Sequence, residues 1–212
     1  MQFFMEGIIM KNYVITISRL CGSGGSTVAR MLANKLQIPL YDRHLISETS
    51  DASEAAQAPT ADIEKADSLF NAAQDIYADS ALPPEGSEPT TNRALFQKQA
   101  EIIRNLADTK SCIIIGRCAD YVLRDHPNVI RVFITSDEKS CVEHEAQRVG
   151  ISKRDALSLV EKHNHERAEY YRYYTGQDWS YAQNYDLCLN TATLSYESCA
   201  NMIMEYLTYR RK

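Results

Sequence analysis

Between Tyr13 and Leu36 the chain changes its hydrophobic period twice. A β-branched run, Val14-Ile-Thr-Ile-Ser18, gives way to Gly22-Ser-Gly-Gly-Ser-Thr27, and apolar residues then recur as Val28, Leu32 and Leu36 with Ala29 and Ala33 alongside. The run reads as a buried strand, the glycines as a tight turn and the later spacing as one face of a helix. Strand, turn and helix in that order point backbone N–H groups and the positive helix end at one spot, an arrangement that binds phosphate. The usual form of such a loop is G-x-x-x-x-G-K-[ST]. Aligned on Ser26, this chain carries Arg19 at the first glycine and Gly25 at the lysine. Gly22, Ser23, Gly24, Gly25, Ser26 and Thr27 are therefore the phosphate-binding candidates, with the Ser26 hydroxyl as the Mg²⁺ ligand. Arg19 is a candidate substitute for the missing ammonium. A side chain at Gly24 is expected to crowd the anion, and Gly25 to be kept for its backbone freedom.

The rest of the chain repeats the alternation. Ile38-Pro-Leu-Tyr-Asp42, Ser111 to Gly116, Asn128 to Thr135 and Asp186 to Asn190 read as strands. Helical patterns cover 94–106, 137–149, 152–174 and 195–209, the third opening on Ser152-Lys-Arg-Asp155, close to a capping box. Residues 47–92 differ, being rich in Ala, Ser, Asp, Glu and Pro. A helix is expected at 62–77 and a mobile loop at 83–91, around Pro83-Pro-Glu-Gly86. Strands alternating with helices imply α/β architecture, a five-stranded parallel sheet covered on both faces. The 212 residues suffice for one domain with a lid near 148–180 and a helical insert at 47–92.

A formal charge of −5 gives no basic face for nucleic acid. The sequence contains no apolar run of the roughly 20 residues that a membrane span needs. Glu6 interrupts the short apolar start, which makes a poor signal peptide, and Met10 is a second possible initiator. The six cysteines form no C-x-x-C pair and several lie in apolar runs, so reduced core thiols in a cytoplasmic protein are expected. His163, His165 and the other histidines lack metal-ligand spacing.

Five stretches together resemble the cytidylate kinase-like family of P-loop nucleoside monophosphate kinases. They are Ile15 to Gly25, Pro39 to Ile46, Ile113-Ile-Ile-Gly-Arg-Cys-Ala-Asp-Tyr121, Arg167-Ala-Glu-Tyr-Tyr-Arg-Tyr-Tyr-Thr175 and Tyr185-Asp-Leu-Cys-Leu-Asn-Thr191. The resemblance implies a three-layer P-loop kinase fold that uses ATP and Mg²⁺ on a small nucleotide acceptor such as CMP. Glycine at position 25 then becomes a trait of the branch. It implies that Arg117 holds the acceptor phosphate, as the planar guanidinium fork suits, with Asp120 on the same side. Asp42 would contact substrate sugar or Mg²⁺-bound water, or equally cap a helix near His44. Arg167 and Arg172 would close over the transferring group. Arg148, Lys153 and Arg154 lie in the same region, the last two reading better as a solvated face. Cys141 stands where relatives carry arginine, and Asn164 where many carry aspartate. Both departures, with Gly25, keep open a nucleotide-binding protein without turnover, and the unusual 47–92 segment keeps open a kinase of another small molecule.

Overall fold

The computed structural model describes residues 12–41 and 89–210. Five parallel strands form one sheet: β1 (Val14–Arg19), β2 (Leu40–Tyr41), β3 (Cys112–Ile115), β4 (Val129–Thr135) and β5 (Leu187–Asn190). Their spatial order is β2-β3-β1-β4-β5. β1 is central because it can be buried on both faces, and residues 14–18 are all buried. Ile15 registers with Ile113 on one side and Ile130 on the other. Such strands need no polar alternation, which explains the continuous apolar reading of Cys112-Ile-Ile-Ile115.

Helices α1 (Gly25–Leu36) and α6 (Tyr196–Arg210) cover one face. Val28, Leu32, Ile203 and Leu207 pack there with Ile15, Ile17 and Ile113. Helices α2 (Pro89–Thr109) and α3 (Ala119–Val122) cover the other, where Ile103 and Leu106 meet Val14, Cys112 and Ile114. The pleat sends neighbouring residues of β1 to opposite layers, so one short strand serves both cores. Helices α4 (Glu138–Val149) and α5 (Lys153–Thr175) follow β4 and lie over the C-terminal edge of the sheet. Both begin on side-chain caps: the Asp137 carboxylate accepts from Ser140 N–H at 2.8 Å and the Ser152 hydroxyl from Asp155 N–H at 3.2 Å.

One expectation needs correction, and one element was not expected. The loop expected at 83–91 gives way to helix by Pro89, five residues before the apolar pattern at Ala94. Proline suits a first helical turn, where its missing N–H costs nothing. The single turn α3 is too short to show a period. Asp42, the helix expected at 62–77 and most of the 47–92 insert lie outside the described residues. Ile113 is fully buried between β1 and β2. Replacing it with Ala should cost about 2–5 kcal/mol, measured as a fall in the urea midpoint with unchanged slope.

Candidate active site

The loops that follow the strands meet at the C-terminal edge of the sheet, the usual place for ligands in parallel α/β folds. The first runs from the end of β1 into α1, and its backbone is tied by bonds of known destination. Leu20 N–H donates to Ile134 O at 3.1 Å, and Cys21 N–H to Asn164 Oδ1 at 2.7 Å. The N–H and hydroxyl of Ser23 both return to Leu20 O, at 3.3 and 2.9 Å. The Thr191 hydroxyl lies 2.8 Å from Ser23 O, and Thr27 and Val28 donate to Gly24 O. The N–H groups of Gly22, Gly24, Gly25 and Ser26 have no hydrogen-bond partner among the described residues. Four clustered donors at a helix N-terminus make a ready anion cradle.

Gly22 and Gly24 have φ of 77° and 74°, a region that side chains disfavour. Their neighbours exclude a Cβ as well. One on Gly22 would run into the Cys141 backbone, and one on Gly24 into the Tyr196 ring. A substituted Gly24 would therefore meet Tyr196, a steric limit separate from the expected crowding of an anion. Gly25 also departs from expectation, because its φ is not positive. Its limit is steric: a Cβ there would sit 2.5 Å from Arg19 Cβ and 2.9 Å from Arg19 Cγ.

The second loop follows β3. Gly116, Arg117 and Cys118 are consecutively left-handed, with φ of 71°, 59° and 54°. Two non-glycine residues in this region cost of order 1–3 kcal/mol each, a strain that clusters at ligand sites. Gly116 N–H donates to Ile17 O and Ala119 N–H to Gly116 O, both at 3.1 Å, pinning the turn beside β1. Arg117 is half-buried there. Arg19 reaches this loop too, since a Cβ on Gly116 would lie 2.9 Å from Arg19 Nη1.

Helix α5 closes the group. Asn164 holds Cys21 N–H, Arg167 Nη1 donates to Arg19 O at 3.1 Å, and the Tyr171 hydroxyl donates to Asp120 Oδ2 at 2.7 Å. Positions 164, 167 and 171 form one helical stripe turned toward the loops. Arg172 falls off that stripe and is exposed. Asp120 is 3% exposed and turned inward onto Tyr171. Of the remaining cations, Arg148 is held by Glu145 and Lys153 by Glu143, each at 2.6 Å, and Arg154 is exposed. Ser26 and Thr27 open α1 and are half-buried.

Tyr171, Trp179, Tyr185, Phe133 and Cys118 pack together beneath α5, while Phe96 of α2 stacks on Tyr174 at 4.3 Å and 14°. The aromatic run after Arg167 is thus largely core packing, as its helical spacing allows. Burial pushes the Cys141 thiol to about 11 and raises Cys21, so both are protonated and unreactive at neutral pH. Five of the six cysteines are buried, and Cys188 is exposed. No group of three or more His, Cys, Asp or Glu among the described residues could hold a metal ion. No described helix is long and apolar enough to cross a membrane.

Sequence reasoning noticed Asn164 only as a departure and missed Thr191, Tyr196 and Gln99. Asn164, Thr191 and Tyr196 act on backbone or on glycines, which no side-chain motif records. Gln99 is 1% exposed, and both polar atoms of its amide lack a partner among the described residues. Only its place on an otherwise apolar helix face could have signalled it.

A five-stranded parallel sheet in the order 2-3-1-4-5, with a glycine loop after its central strand, defines a P-loop kinase fold. The cytidylate kinase-like family model matches residues 14–193, and the chain belongs to that family. Among solved structures, an uncharacterized protein from Eubacterium ventriosum is 25% identical, with a TM-score of 0.69 over 93% of this chain and 99% of the other. A shikimate kinase from Bacteroides thetaiotaomicron is 14% identical, with a TM-score of 0.52 over 92% and 98%. A sugar kinase from Janibacter sp. HTCC2649 is also 14% identical, with a TM-score of 0.51 over 93% and 95%. The last two share the fold. No match was found among curated proteins.

Burial raises the Asp120 carboxyl above its ordinary range, and the Tyr171 hydrogen bond offsets this only in part. The folded protein therefore holds that proton more tightly than the unfolded chain. Its stabilising effect is complete below the ordinary carboxyl value and is lost as pH rises through the raised one. Asp120→Asn still offers Tyr171 an acceptor without that titration. Its melting temperature should gain on wild type as pH rises from about 4 to 7, followed by calorimetry. Asn164→Ala should leave Cys21 N–H unpaired and lower stability by about 1–3 kcal/mol, whereas Asn164→Asp should retain most of it.

Proposed function

We propose that the protein transfers a phosphoryl group from Mg²⁺-ATP to a nucleoside monophosphate, CMP being the first acceptor to test. The observation that carries this reading is the set of four N–H groups at residues 22 and 24–26 that have no partner among the described residues, at the C-terminal edge of a buried parallel sheet. These amides would hold the donor phosphates, and Ser26 would hold Mg²⁺, which neutralises phosphate charge when bound. Arg117, on its strained turn, would hold the acceptor phosphate through paired hydrogen bonds. Arg167, already docked on β1, is the lid cation favoured by position, and exposed Arg172 is not. Asp120 would support α5 through Tyr171 rather than meet substrate. Catalysis would rest on placement and charge, with no covalent intermediate.

Gln99 of α2 carries a buried amide that could donate to and accept from a polar acceptor group.

ADP release measured against CMP, other nucleoside monophosphates, shikimate and simple sugars decides the acceptor class. Arg117→Ala should raise the acceptor KM at least about tenfold, the scale of one lost charged hydrogen bond, and leave ATP affinity near wild type. An equal loss for ATP with the acceptor untouched would remove Arg117 from the acceptor side. ATP binding without turnover on any acceptor would instead favour a nucleotide-binding protein that has lost catalysis.

A further inference from the structure

Positions 19 and 25 exclude one another. The Cβ that any residue at 25 would carry falls 2.5 Å from the Cβ of residue 19, inside the distance two carbons can share. Only one of the two positions can bear a side chain. The usual loop G-x-x-x-x-G-K-[ST] places glycine at the first position and lysine at the second. This chain has Arg19 and Gly25, the same pair reversed. Neither position is then independently unusual, because the arginine at 19 requires the glycine at 25.

We propose that Arg19 is the phosphate-binding cation of this loop, moved from the first turn of α1 to the end of β1. The proposal rests on the phosphoryl-transfer reading for its catalytic part and on geometry alone for its binding part. The Arg19 stem crosses Gly25, and its Nη1 lies beside Gly116. Its side chain therefore runs from the glycine loop to the loop after β3, where the guanidinium lies beside Gly116 and Arg117 follows. A lysine at 25 would start from the helix and present one compact charge. Arginine starting from the strand presents a planar fork, which can bond oxygens of both phosphates at once. Arg167 bears on the same residue by donating to Arg19 O, which fixes the backbone from which the fork extends.

The swap makes a test that a purely structural arginine would fail. Four variants are needed: Arg19→Met, which keeps the stem and removes the charge; Arg19→Gly; Gly25→Lys; and the double variant Arg19→Gly with Gly25→Lys. ATP affinity is measured by calorimetry with Mg²⁺, turnover by ADP release, and folding by thermal melts. Arg19→Met and Arg19→Gly should bind ATP at least about tenfold more weakly and lower kcat by about a hundredfold or more, the scale of one lost transition-state contact. Gly25→Lys alone should melt lower, since the clash with Arg19 remains. The double variant should melt above Gly25→Lys and recover ATP affinity relative to Arg19→Gly.

Wild-type ATP affinity in Arg19→Met would overturn the proposal. So would a folded double variant that binds ATP no better than Arg19→Gly. Should wild type release ADP with no acceptor, the phosphoryl-transfer reading falls, while the affinity arms still decide whether Arg19 is the phosphate cation. Should Arg19→Gly fold poorly, Arg19→Met alone carries the decision on affinity.

Discussion

Everything at the functional edge depends on β1 being buried on both faces and paired on both sides. A strand so placed cannot end gradually. Its last residues must leave the sheet, reverse and start a helix within a few positions, and the backbone donors uncovered by that reversal have to go somewhere. Cys21 and Ser23 find protein acceptors, Asn164 Oδ1 and Leu20 O. Among the described residues, the donors at 22 and 24–26 do not. The cluster of open donors is the remainder left when a central parallel strand is turned sharply into a helix, and the left-handed glycines at 22 and 24 are what permit the turn.

The sheet and its helices were largely legible because parallel strands with two covered faces are written as continuous apolar runs, and helices as recurring ones. Val14-Ile-Thr-Ile-Ser18 and Val28, Leu32, Leu36 could hardly be read otherwise. The start of α2 was misjudged because Pro89 carries no apolar period, and α3 was missed because one turn has none. The positions of the glycine loop and Arg117 just past a strand were legible from their order along the chain. What sequence could not give was direction. Asp120 was grouped with Arg117 because the two are near in sequence, yet it faces inward onto Tyr171. Arg167 and Arg172, five apart, could not share one helical stripe, and only the structure shows that Arg167 is the one facing the loop and Arg172 the exposed one.

The reason for Gly25 shows the same limit more sharply. A glycine at a position that usually carries lysine reads, in one dimension, as a loss. In three dimensions residue 25 faces residue 19, six places earlier, and the glycine and the unexpected arginine are sterically coupled. The contact joins a strand end to a helix start, so neither strand nor helix periodicity links the two.

One further property follows from how α5 grips the loop. Asn164 and Arg167 bond to the amide of Cys21 and the carbonyl of Arg19, groups that every residue except proline presents identically. The latch recognises the path of the chain and is blind to most side chains along it. These two bonds therefore set the backbone path alone, while the Leu20 and Cys21 side chains add their own packing against α4 and α5. A latch built on main-chain groups holds α5 on the strand end whichever side chain stands at 19.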